Sequence, residues 1–137
     1  MEVSMSLTVT PQLVEAASAG ELTDEAFLDC VRTSLPFAYE LVERLAAELG
    51  PARAAGSDFT AFDGTPPTDS AGGQLLRAMA STSIRSALER HFGVALVFQN
   101  CHRVGMFGLD AVGGEQYRQF VSREAQVLHQ KPELVNC

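Results

Sequence analysis

The stretch "VALVFQNCHRVGMF", residues 94–107, decides between an all-helical chain and a mixed one. Its first six residues follow Gly93, are β-branched or aromatic in the main, and are apolar at both odd and even positions, which marks a strand covered on both faces. Val94, Leu96 and Phe98 share one face; Ala95, Val97 and Gln99 share the other. Asn100-Cys101 suits a hairpin turn, although cysteine stands where a two-residue type I′ turn prefers glycine. Residues 102–107 then form the return strand, with Val104 and Met106 in the core and His102 and Arg103 starting on opposite faces. An unpaired buried guanidinium costs several kcal/mol, so Arg103 is expected to be at least partly exposed or paired with a carboxylate.

Working outward, the flanking segments read as helices. Thr10-Pro11 is an N-cap followed by proline at the first helical position, and Thr23 caps a second helix whose Leu22 and Phe27 occupy staple positions. Pro36 breaks or kinks that helix near Ser34 and Leu35. Ala38, Leu41, Val42, Leu45 and Leu49 then recur at three- and four-residue steps, and Gly50-Pro51 is expected to stop this helix. Residues 51–70, "PARAAGSDFTAFDGTPPTDS", lack a helical stripe; Phe59 and Phe62 argue for a loop packed on the body, with a short strand at 58–62. From Ser70 to Phe92 the stripe Leu76, Ala80, Ile84, Ala87, Leu88 and His91 predicts one helix, which Gly93 ends. Gly113-Gly114 open a helix over 115–121, and Ser122 caps another running to about His129, before Pro132. The expectation is a single α+β domain over residues 1–137, mainly helical with four to five helices, a small antiparallel sheet near 94–107 and a long loop at 51–70.

Composition narrows the function classes. The 137 residues carry a net charge of −7, and residues 1–84 hold four arginines against twelve carboxylates. Lys131 is the only lysine and the nine arginines are scattered, which disfavours nucleic acid and anionic membrane surfaces as partners. The longest apolar run, Val94 to Phe98, is far too short to span a bilayer. The opening "MEVSMSLTVT" has neither the basic nor the apolar region of a signal peptide, and the three distant cysteines do not form a disulfide framework. A cytoplasmic protein with reduced thiols is expected.

The chain has no phosphate-binding glycine loop, dinucleotide fingerprint, Gly-x-Ser-x-Gly elbow or His-Glu-x-x-His pair. The triplet Cys101, His102, Arg103 is the candidate for catalysis, because an imidazole and a guanidinium beside a thiol favour the thiolate. The bland reading is a buried thiol next to an exposed polar turn. Phe59, Phe62, His91 and Gln99 are the candidate ligand contacts. No metal is expected, since no two cysteines are paired at ligand spacing; the alternative is zinc or iron held by Cys30, Cys101, His102 and Cys137.

At "CVRTSLPFAYELV", "GQLLRAMASTSIRSALERHFGVALVFQNCHRVGMF" and the terminal "PELVNC" the chain resembles a family of small cytosolic actinobacterial proteins of unassigned activity. The resemblance implies that the Asn100 to Arg103 run and Cys137 are family features, and it supplies no catalytic residues; the loop "SDFTAFDGTPP" departs from the family form. The leading expectation is a non-catalytic binding or accessory protein that recognises a protein partner or small metabolite, beside a biosynthetic pathway and as a homodimer. The alternatives are a Cys/His thiol or metal site, and a small metal-free cyclase or isomerase that orients its substrate in an apolar cavity.

Overall fold

A computed structural model describes residues 6–134 of the chain. Side-chain caps start the helices where the sequence places them. Thr10, Thr23, Thr68, Ser81 and Ser122 each accept a hydrogen bond from the backbone N–H three residues on, opening α1 (Pro11–Ser18), α2 (Asp24–Ser34), α4 (Asp69–Ala80), α5 (Thr82–Phe92) and α7 (Arg123–Leu128). α3 (Pro36–Ala54) begins at Leu35 with no cap of its own. Buried Gln74 of α4 supplies one instead, its Oε1 accepting from Phe37 N at 2.7 Å and Ala38 N at 3.4 Å. α6 spans Glu115–Phe120.

The fold is α+β and mainly helical, as expected, with two corrections to its helices. The helix at 38–49 does not stop at Gly50-Pro51 but runs on to Ala54 with Pro51 inside it. The carbonyl that Pro51 cannot bond is that of Ala47, an exposed residue, where water can satisfy it. The stop comes at Gly56, whose φ of +96° lets Ser57 N reach back to Ala52 O. The connector therefore begins later than residue 51. The second correction splits 70–92 in two: Ser81 is extended (φ −88°, ψ 116°), and the axis turns there. That rotation buries Leu75, Ala78 and Met79 and leaves Leu76 48% exposed. Seven α-helices thus stand among the described residues instead of four or five.

Three antiparallel strands, β1 (Phe59–Phe62), β2 (Val94–Gln99) and β3 (Arg103–Gly108), form a sheet in the order β1-β3-β2. Phe59 pairs with Phe107, and Val94 with Gly108. Val94, Leu96, Phe98, Val104 and Met106 face the main core built by α2 to α5, and Phe62 joins them. Ala95, Val97, Phe59 and Phe107 face a second cluster with Ala111, Tyr117 and Phe120. Both faces of the hairpin are covered, as its composition requires.

Two glycines of β3 admit close neighbours. A methyl group at Gly105 would stand 2.7 Å from Phe120 Cζ and 2.9 Å from Val97 Cγ2, both in packed side chains; at Gly108 it would stand 1.6 Å from Arg53 Nη1, the tip of a flexible side chain. Gly105→Ala is expected to lose about 1–3 kcal/mol in denaturant unfolding. Gly108→Ala should lose less, about 1 kcal/mol or under, because it displaces only a solvent-exposed ion pair. That pair, Arg53 with Asp110 at 2.6 and 2.7 Å, holds the Asp110 carboxyl below its ordinary value of 3.8. A depressed carboxyl adds stability above its ordinary value and loses it as pH falls through the folded value. In Arg53→Gln, an NMR titration should show the Asp110 midpoint move upward.

Candidate functional site

The hairpin turn places the polar triplet. Its strands close at Gln99 opposite Arg103, so the loop is the three residues 100–102, and Asn100 (φ 59°) and Cys101 (φ 51°) both take the left-handed conformation. The two-residue turn expected at Asn100-Cys101 is corrected accordingly: His102 belongs to the loop, and the return strand starts at Arg103. Cysteine at positive φ is strained, and the turn is held by its surroundings. Gln99 Nε2 donates to the carbonyls of Phe120 and Ser122 at 3.2 and 3.3 Å, and Asn100 Nδ2 donates to Gln126 O at 2.6 Å. These bonds tie the turn to α6 and α7.

His102 is fully buried, and Arg103 is 6% exposed. His102 Nε2 lies 3.2 Å from His129 O; a carbonyl only accepts, so this nitrogen donates. A neutral His102 then carries its lone pair on Nδ1. Asp63, just past β1, meets all three neighbouring bases: its Oδ1 stands 3.3 Å from Arg103 Nε and 3.8 Å from His102 Nδ1, and its Oδ2 stands 3.1 Å from His129 Nδ1. The Asp63 side chain is 44% exposed and forms the outer edge of the group. Phe120 covers the guanidinium face, with Arg103 Cζ 4.1 Å from the ring centroid. Burial pulls the Arg103 guanidinium below its ordinary value, and Asp63 offsets part of that shift.

Four buried polar atoms in this turn have no hydrogen-bond partner among the described residues: Asn100 Oδ1, His102 Nδ1, Arg103 Nε and Arg103 Nη1. Such orphans are rare in folded proteins, and each calls for a physical reason. The expectation for Arg103 holds in its pairing with a carboxylate, not in exposure. Neither Asp63 nor His129 stands among the candidate site residues expected from the sequence. Asp63 sits in the loop that drew attention for its phenylalanines, but nothing local signals a contact with Arg103.

The other candidates lie apart. Cys101 is disulfide-bonded, contrary to the reduced state expected, so a thiolate there requires reduction first. Cys30 is a free buried thiol on α2 whose Sγ donates to Thr8 O at 3.3 Å. Cys137 lies outside the described residues. Among the described residues no three His, Cys, Asp or Glu side chains group as metal ligands, so the set Cys30, Cys101, His102 is not assembled. Phe59 stacks on Phe107 at 4.9 Å, and Phe62 meets Phe37 edge-on at 6.4 Å. The Gln99 amide nitrogen is engaged by two carbonyls. His91 lines a cavity of about 730 Å³ between α2 and α5, together with Asp24, Asp29, Arg32, Tyr39 and Arg90. It precedes β2 while the turn follows it, so this cavity is at the opposite end of the hairpin. Four of its charges are paired, Asp24 with Arg90 at 2.7 and 2.8 Å and Asp29 with Arg32, and Glu25 is an exposed carboxylate that water satisfies, so the turn, whose orphaned groups are buried, is the better candidate site.

A structural role and a binding role for Arg103 predict different stabilities. The Arg103 charge is buried and incompletely bonded while its counter-ion Asp63 is half-exposed, so Arg103→Met leaves no buried unpaired charge behind and is expected to match the wild type in denaturant unfolding or to gain up to about 2 kcal/mol. Asp63→Ala leaves the guanidinium without a counter-charge and should lose about 1–2 kcal/mol, less than for a fully buried pair because Asp63 is half-exposed. A large loss in Arg103→Met would mark the arginine as structural.

Over residues 5–137 the chain matches the family described as "NucS shadow ORF". No curated protein and no solved structure matches it. The chain belongs to the NucS shadow ORF family, a family of uncharacterised function.

Proposed function

We propose that this chain is a non-catalytic binding protein for a small metabolite, with Arg103 and His102 at the ligand contact. One observation carries the reading: a buried guanidinium keeps two of its nitrogens, Nε and Nη1, unbonded beside a half-exposed carboxylate. A buried donor left unsatisfied costs about 1–3 kcal/mol, and a partner that arrives from solution is the simplest return on that cost. A cytoplasmic setting, an actinobacterial source and a place beside a biosynthetic pathway belong to the same proposal, the setting standing against the disulfide at Cys101, a bond that is rare in a reducing compartment. Its supports are the resemblance of the quoted segments, the acidic composition, and the finding that no helix among the described residues is long and apolar enough to cross a membrane.

The test is native mass spectrometry of the purified chain against a library of small metabolites. At least one compound is expected to bind the wild type and to lose its binding in Arg103→Met. Binding that survives Arg103→Met unchanged for every compound would overturn the assignment of the site.

A second reading, a protein partner or a second copy of the chain, draws on α7, where Val127 and Leu128 are 74% and 80% exposed. It expects light scattering to show a dimer that Leu128→Lys dissociates. A monomer at all concentrations would remove the homodimer.

A further inference from the structure

We propose that the ligand of this site is a small monocarboxylate, and that Asp63 holds its place until it binds; the inference rests on the reading of Arg103 as the ligand contact. The molecule contains its own comparison. Arg53 grips Asp110 through two parallel bonds at 2.6 and 2.7 Å, and Arg90 grips Asp24 through two at 2.7 and 2.8 Å. Both are the two-bond forks that a guanidinium and a carboxylate form when nothing prevents them. Both lie at the surface, where such a pair contributes little.

At Arg103, where burial makes every unbonded donor costly, the fork is missing. Asp63 Oδ1 stands 3.3 Å from Nε without forming a hydrogen bond to it, and Nη1 has no partner among the described residues. Asp63 is shared instead with His129 through its other oxygen, and its half-exposed side chain can swing outward without leaving a hole in the core.

The vacant chemistry is that of a planar acid. Phe120 covers one face of the guanidinium, so a ligand approaches its edge, where a carboxylate fits with two bonds in plane, one to Nη2 and the other to Nε or Nη1, as in the forks of Arg90 and Arg53; Nε and Nη1 open onto different edges and do not share one carboxylate. Charge selects the monoanion. A carboxylate that replaces Asp63 exchanges one negative charge for another at Arg103, whereas a phosphate near neutral pH brings about two and meets a chain of net charge −7. Asp63 is thus an internal competitor: removing its charge should strengthen binding, where loss of a merely structural counter-ion would not.

The experiment follows the Arg103 Nε–H signal in NMR spectra of the isotope-labelled full chain, assigned by its loss in Arg103→Met. Propionate, neutral propionamide and inorganic phosphate are titrated into the wild type, Asp63→Asn and Asp63→Ser. Propionate is expected to move the signal in the wild type, and to bind about tenfold more tightly once the Asp63 charge is removed. Propionamide should leave the signal in place. Should the variants fail to fold, the wild-type arm still decides between propionate, propionamide and phosphate.

Three results would overturn the proposal: no movement with propionate in any folded form, no gain in affinity in a folded Asp63 variant, or phosphate binding as tightly as propionate. A neutral or cationic metabolite that moves the Arg103 signal where propionate does not would sink the carboxylate and leave the binding site standing. Metabolites bound without regard to Arg103 would sink both.

Discussion

Strand β3 is the constraint on which the rest of the molecule depends. It lies between β1 and β2, so both of its edges are paired, and all six of its residues are buried. Its even positions, Val104 and Met106, enter the helical core, while Phe107 enters the cluster around Phe120. Because side chains alternate along a strand, the register of β3 sets which residues of both neighbours face which layer. Gly105 completes the arrangement by leaving the sheet surface open to the Phe120 ring.

The polar group inherits its burial from that strand. Arg103 is the first residue of β3 and projects to the side of Phe107, where Phe120 lies against it. His102, one residue earlier, is enclosed by the segment that follows α7. α7 buries only Ala125 among its own residues. Much of its attachment is polar: Asn100 donates to Gln126 O, His102 to His129 O, and His129 meets Asp63. The site and the docking of the last helix are therefore one network, whose members polarise one another. Acidic residues are abundant elsewhere on the chain, yet among the described residues only Asp63 reaches this arginine within ion-pair distance. That scarcity gives a half-exposed aspartate its leverage over a buried charge.

What the sequence determined by itself is what lies within about four residues of its cause. Threonine and serine caps at 10, 23 and 122 start helices where they stand, since a hydroxyl reaches only the backbone N–H groups of the next turn. The apolar run at 94–98 and its return at 104 and 106 announced a strand pair buried on two faces, and the alternation assigned each side chain to its layer. The tertiary structure decided what those local signals could not hold. Pro51 stays inside α3 because its exposed position leaves the freed carbonyl to water, and the stripe over 70–92 breaks at Ser81 because capping α5 there reorients it toward the core. β1 joins β3 across more than forty residues of chain, a pairing whose closure entropy is offset by the ladder itself, by the Thr60 hydroxyl donating to Leu45 O and by packing the half-buried Phe59 and Phe62. The same closure brings Asp63 to Arg103 and His129. No pattern in the neighbourhood of any of the three residues encodes that meeting, because it depends on which edge of β3 the loop strand occupies and on the helix that folds over the turn.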